Sequence, residues 1–171
     1  TLAGGDSFHL VPRVRSIVSG KADELRAARG RGNQVTSITM TVFYLLLWWI
    51  GCQLAPLATD TPWTVVLVVL AVVRIALCFM PQNGWTQEKP PVSWGIIRNV
   101  PFAAMGVIVA VRFAMTGSAI PSMSLAWLAI LVSFGCYLPV VIWADRYPQV
   151  GALMLPKTCA YVWLLAMCLG I

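Results

Sequence analysis

Acids are scarce in this chain and histidine almost absent: of 171 residues, six are Asp or Glu and one is His. That scarcity excludes a His-rich metal centre and leaves few groups for acid–base chemistry. Charged residues of both signs make up only 11% of the sequence, against roughly 25% in an ordinary soluble domain, so no water-facing shell can surround a core. Paired-cysteine motifs are missing as well. Cys52, Cys78, Cys136, Cys159 and Cys168 are scattered through apolar runs without a CxxC pair; they read as small packing residues, and neither a metal nor a cofactor is expected. There is no HExxH, no GxSxG elbow and no Walker loop. A Ser-His-Asp triad would need Ser7 beside His9, and residues two apart on a helix do not face each other. No inverted repeat is visible, which argues against a secondary transporter built from one chain; a homo-oligomer would restore that option.

What the chain has in quantity is apolar sequence, with 59% hydrophobic residues and a mean hydropathy of +0.80. Lipid is the solvent such a composition requires. A net charge of +6 would suit nucleic acid in a soluble protein, but in a membrane protein Lys and Arg set orientation and attract anionic headgroups. Nucleic acid is therefore excluded as a partner, and membrane lipids are expected. The fold class that follows is all-α, an integral membrane helical bundle in one domain over 1–171. An N-terminal helix, 1–12, is expected to be either the end of a sixth span, with further apolar sequence ahead of Thr1, or a short helix lying at the interface. A basic loop, 13–35, follows, containing a short amphipathic helix near 21–29 closed by the glycines at 30 and 32. Five transmembrane helices are then expected at 36–57, 63–80, 94–115, 125–144 and 152–171. Pro101 is read as lying where its missing N–H is cheap, and the eight tryptophans as an aromatic belt.

Counting bases gives an orientation. If loop 13–35 is cytoplasmic, alternating spans put ten Lys and Arg on that side and leave Arg112 alone near the other, with Arg74 inside a span. The expected location is the inner (plasma) membrane, multi-pass. On this topology Asp6, His9, Arg13, Arg74, Asn83, Arg98, Asn99, Asp145 and Lys157 all fall in the cytoplasmic half, and the outer half is nearly blank. Charges at hydrocarbon depth cost about 2.5–3.5 kcal/mol each on insertion scales, so a cluster at one depth implies mutual pairing or a water-filled cavity. A cytoplasm-facing basic pocket is the main expectation.

Asp6, His9 and Arg13 stand at i, i+3 and i+7, on one helical face. Asp6 there could polarise His9 as a general acid or base, with Arg13 holding an anion; the plainer reading makes Asp6 a helix cap and Arg13 a topology signal. Arg74, inside a span, points to function or to pairing with an acid. Arg98 and Asn99, near a helix start, are placed to hold an anion with free backbone donors. Lys157, sharing a face with Tyr161, lines the pocket or snorkels. Asp145 is the other acid placed to reach it.

Gly5-Asp6-Ser7-Phe8-His9-Leu10-Val11-Pro12-Arg13, Pro81-Gln82-Asn83-Gly84-Trp85, Trp94-Gly95-Ile96-Ile97-Arg98-Asn99-Val100-Pro101-Phe102 and Pro156-Lys157-Thr158-Cys159-Ala160-Tyr161, together with Val35-Thr36-Ser37-Ile38-Thr39-Met40-Thr41, resemble a family of small, uncharacterised bacterial polytopic membrane proteins. The resemblance extends over nearly the whole chain. It implies a six-span protein with an apolar helix ahead of the Gly-Asp motif, and implies no mechanism.

Three functional readings follow. In the first, a binding or transport-type protein holds an anionic small molecule or phospholipid headgroup with Arg13, Arg74, Arg98 and Lys157, and with Asn83 and Asn99 as neutral donors. In the second, an intramembrane lipid-modifying enzyme uses Asp6 and His9, with Asp145. In the third, the chain is a helical subunit of a larger membrane complex. Four cations need an anion, whereas acid–base work needs only two groups, so the first reading leads.

Overall fold

In hydrocarbon every backbone N–H and C=O must be bonded within the protein, so long apolar stretches become helices even where they are rich in valine. The computed structural model describes residues 26–87, 91–117, 119, 121–143 and 147–169. Five helices are described: α1 Arg26–Leu54, α2 Asp60–Phe79, α3 Val92–Thr116, α4 Ala126–Trp143 and α5 Met154–Leu169. No strand is present among the described residues. The all-α class read from the sequence holds. Four stretches, Gly30–Leu54, Asp60–Phe79, Val92–Thr116 and Pro121–Trp143, are long and apolar enough to cross a membrane, while Met154–Leu169 is apolar but shorter.

The outer surface states the solvent. Along α2, Val65, Val66, Val68, Val69, Val72 and Val73 are all exposed. An uninterrupted valine face of this kind would be an aggregation surface in water and is ordinary against acyl chains. This is a multi-pass membrane bundle.

The helix boundaries follow from local chemistry. Pro56 prevents α1 from continuing, and Ala55 N–H closes the last turn on Gly51 O at 3.1 Å. Asp60 begins α2, where its charge suits the positive end of the helix dipole. The break between α2 and α3 opens with a 3₁₀ turn, Pro81–Asn83, ended by Gly84 at φ 57°, a left-handed conformation that glycine adopts without cost.

Three boundaries differ from the sequence-based expectation. The glycines at 30 and 32 do not close a short helix; the described part of the 13–35 segment is helical from Arg26 and runs through both of them into the membrane span. Gly30 is there for close approach, since a Cβ at that position would lie 2.0 Å from the Trp85 carbonyl oxygen. The expected 36–57 span accordingly starts earlier and stops at Leu54. The last span, expected from 152, is preceded by a 3₁₀ segment, Pro148–Leu153, and its α-helix is Met154–Leu169. Pro101 lies in the interior of α3 and is buried, so its missing N–H removes a helical hydrogen bond from the Ile97 carbonyl.

Gly30→Ala is expected to lower stability by about 1–3 kcal/mol, because the obstructing atom is backbone and cannot rotate away. Thermal unfolding in detergent checks the loss, and a change in Trp85 emission checks its place.

Midway along the bundle an aromatic layer joins the helices. Tyr44 from α1 packs edge-on to Phe102 of α3 at 5.1 Å and against Phe134 of α4 at 5.7 Å; Phe102 and Phe134 are 5.0 Å apart, and Phe43 meets Tyr161 of α5 at 5.9 Å. These rings are almost wholly buried, each contributing a large apolar area and a favourable edge-to-face geometry. Gly106 is what admits Phe134 so closely, as a Cβ there would sit 2.0 Å from the ring. The layer divides the interior into two ends.

Candidate basic pocket

At one end meet the start of α1, the end of α2, the start of α3, the end of α4 and the start of α5. They enclose a half-open cavity of about 240 Å³ whose walls include Arg74, Arg98 and Lys157, with Asn33, Ser37 and Tyr137. The three cations named from the sequence within the described residues thus come together on one cavity.

Arg74 is the deepest, 1% exposed. Its guanidinium carbon lies 3.6 Å from the centroid of the Phe102 ring, a cation–π contact worth about 2 kcal/mol when desolvated. Nη1 reaches Asn99 Oδ1 only at 3.5 Å, and Nε has no hydrogen-bond partner among the described residues. An acid partner was one expectation for Arg74; among the described residues it has none.

Asn99 is fixed before Arg74 reaches it. Its amide Nδ2 donates to Gly95 O at 2.8 Å and its Oδ1 accepts from the Tyr137 hydroxyl at 3.0 Å. It therefore stands in the interior of α3 as a neutral brace, bonded to the helix itself, and the free-backbone-donor site expected at Arg98-Asn99 is not formed there; the first-turn N–H of Gly95 is bonded to Pro91 O. Asn83 plays the equivalent part for Arg98. Fully buried, it donates to the Leu77 and Met80 carbonyls, closing the end of α2, and its Oδ1 accepts from Arg98 Nη1 at 3.1 Å. Both amides, expected as donors to a ligand, stand behind the cavity wall and aim the arginines.

Trp85 completes the setting of Arg98. Its ring lies 4.1 Å from the guanidinium carbon, and its indole N–H donates to Cys78 O at 3.0 Å, a carbonyl that also accepts from the Gln34 amide at 3.1 Å. Lys157 Nζ sits 4.2 Å from the Tyr137 centroid and 5.6 Å from that of Tyr161. Each cation is thus held over an aromatic face, and two of them by an asparagine oxygen.

Comparison with family models, with curated proteins and with solved structures finds no match for this chain. The site's chemistry has to be read from its own atoms. Asp6, His9, Arg13 and Asp145 lie outside the described residues. Among the described residues no three His, Cys, Asp or Glu side chains gather as metal ligands.

The opposite end is not blank. Arg112, expected to be a solitary outer base, is 3% exposed and salt-bridged to Asp60, Nε to Oδ1 at 2.9 Å. Its Nη2 donates to Gly51 O at 3.0 Å, Ala55 O at 2.6 Å and Asp60 Oδ2 at 3.1 Å. Gly51 lies in the last turn of α1 and Ala55 directly follows its end, where the helix dipole is negative, so one side chain of α3 fastens the end of α1 to the start of α2. Trp48, expected in an aromatic belt, is buried beside this pair and donates to Thr64 Oγ1 at 2.8 Å.

Sequence reasoning missed Tyr137, Trp85 and this ion pair. The pair had a signal: Asp60 and Arg112 fall on the same side once the spans alternate, and opposite charges at one depth find each other in lipid.

Proposed function

We propose that this multi-pass protein belongs to the inner (plasma) membrane and uses its basic pocket, facing the cytoplasm, to bind an anionic small molecule or a phospholipid headgroup. One observation carries the reading: Arg74 and Arg98 converge with Lys157 on a single cavity, and Arg74 is buried with no acid among its described partners. Aromatic faces and asparagine oxygens recover part of the desolvation cost of a buried guanidinium but do not neutralise it. An anion does both, and the planar fork of arginine suits phosphate or carboxylate oxygens. A volume of about 240 Å³ is below the roughly 300–1,000 Å³ of drug-sized sites, which favours a headgroup or a small phosphate over a whole lipid.

The aromatic layer favours binding over passage. Phe102 lies directly under Arg74 and packs against Tyr44 and Phe134, leaving the cavity with an apolar floor. The excess of Lys and Arg in the segment before the first described span supports the cytoplasmic orientation.

The test uses the full chain in phosphatidylcholine nanodiscs, with inorganic phosphate added in one arm and phosphatidylglycerol incorporated in the other. Stabilisation of about 2.7 kcal/mol is expected at a hundredfold excess over the dissociation constant, in whichever arm supplies the ligand. Arg98→Ala should weaken binding about tenfold or more, the loss of one charge-assisted hydrogen bond. Equal unfolding temperatures in both arms and in their absence would refute the reading.

A further inference from the structure

The two arginines of the basic pocket are held in the same way. Arg74 and Arg98 each give Nη1 to an asparagine oxygen, that of Asn99 at 3.5 Å and that of Asn83 at 3.1 Å, and each lies against an aromatic ring. What remains of each guanidinium is its Nε–Nη2 edge. On Arg74, Nε is sealed in the interior and Nη2 is left; on Arg98 both nitrogens are left. Those three nitrogens keep accessible surface and have no hydrogen-bond partner among the described residues, and both side chains line the cavity of about 240 Å³. We infer, resting on the reading that this pocket binds an anion, that its ligand is a phosphomonoester: a terminal phosphate with one organic substituent, in its dianionic form.

Oxygen count is the first reason. The Nε–Nη2 edge of Arg98 is a fork that takes two oxygens of one phosphate, and Nη2 of Arg74 takes a third. A phosphomonoester offers three terminal oxygens. A phosphodiester or a carboxylate offers two, and would leave Arg74, the deeper residue at 1% exposure, without an acceptor. Position lets one phosphate meet both side chains. Arg98 and Phe102 are one turn apart on the same face of α3, and the Arg74 guanidinium lies 3.6 Å from the Phe102 centroid. The two arginines therefore stand on neighbouring levels of one wall, roughly 5 Å apart along the axis.

Charge gives the same answer. The partners of both arginines among the described residues are neutral, an asparagine oxygen and an aromatic face for each. Two guanidinium charges on one cavity are matched by a group of two negative charges, and a phosphomonoester approaches that at pH 7, with about −1.5 to −2. A diester or a carboxylate brings one charge and leaves the other arginine unmatched at membrane depth, where an unmatched charge is costly.

The test measures affinity in the full chain in phosphatidylcholine nanodiscs at about pH 8, above the second ionisation of a phosphomonoester at about pH 6. Two pairs of probes are compared: methyl phosphate against dimethyl phosphate in solution, and phosphatidic acid against phosphatidylglycerol in the bilayer. In whichever pair binds, the monoester is expected to bind about tenfold or more tighter, the effect of one further charge-assisted hydrogen bond. The pair that responds identifies the source as soluble or lipid. Arg98→Lys keeps the charge and loses the fork, so it should reduce the preference to about threefold or less, whereas a preference owed only to the positive field of this end of the bundle would survive it. Equal affinity for monoester and diester would overturn the phosphomonoester and leave an anion pocket in place; a preference unchanged in Arg98→Lys would overturn the grip by its edge. Binding of none of the four probes would overturn the anion reading and this inference with it.

Discussion

Replacing Asp60 by alanine is expected to destabilise the bundle by about 3–5 kcal/mol, because it leaves Arg112 charged and uncompensated at 3% exposure. Arg112→Ala should cost a similar amount for a different reason: the Gly51 and Ala55 carbonyls lose their donor, and Asp60 loses its partner. Asp60 would keep its bond from the Leu57 N–H at 2.8 Å, so its own loss is partial. The double change Asp60→Ala with Arg112→Ala should cost less than the sum of the two single changes, since no charge is left uncompensated, although the Ala55 carbonyl stays without the Arg112 donor. A double-mutant cycle on unfolding in detergent isolates the coupling. Single losses below about 1 kcal/mol, the range of an exposed pair, would show that the pair is not the fastening between α1, α2 and α3.

How much of this arrangement the sequence discloses depends on what is being read. Spans are legible because uncharged apolar runs have one solution in lipid. The start of α1 is not, because Gly30 looks like a helix breaker until the Trp85 carbonyl is seen against it. The same division runs through the basic pocket. That Arg74, Arg98 and Lys157 share a depth follows from counting residues along alternating helices, and they do share a cavity. That Asn83 and Asn99 face the arginines and not the cavity requires knowing their bonds to Leu77, Met80 and Gly95, which depend on rotamers. Tyr137 carries no sequence signal in an apolar run; it matters because α4 packs its end against Asn99 and Lys157.

Arg74→Met is expected to act with opposite signs on stability and on binding. In the absence of ligand the variant should be as stable as the native chain or more so, by up to about 1–4 kcal/mol, because an apolar side chain of similar length replaces a buried charge. The thioether keeps a favourable contact with the Phe102 ring beneath it. Asn99 keeps its bonds from Tyr137 and to Gly95, so no orphan is created. Binding of the anion should fall about thirtyfold or more, the effect of about 2–5 kcal/mol lost when one partner of a desolvated charge pair is removed. Arg74→Lys retains the charge without the fork and should fall between the two. Stability is measured by unfolding in nanodiscs without added anion, and affinity by titrating phosphate or phosphatidylglycerol into the same preparation. A gain in stability with lost binding is what a residue held for function produces. A loss of about 2 kcal/mol or more in the ligand-free protein would instead make Arg74 a packing element of the aromatic layer, and the basic pocket would lose the residue on which its reading rests.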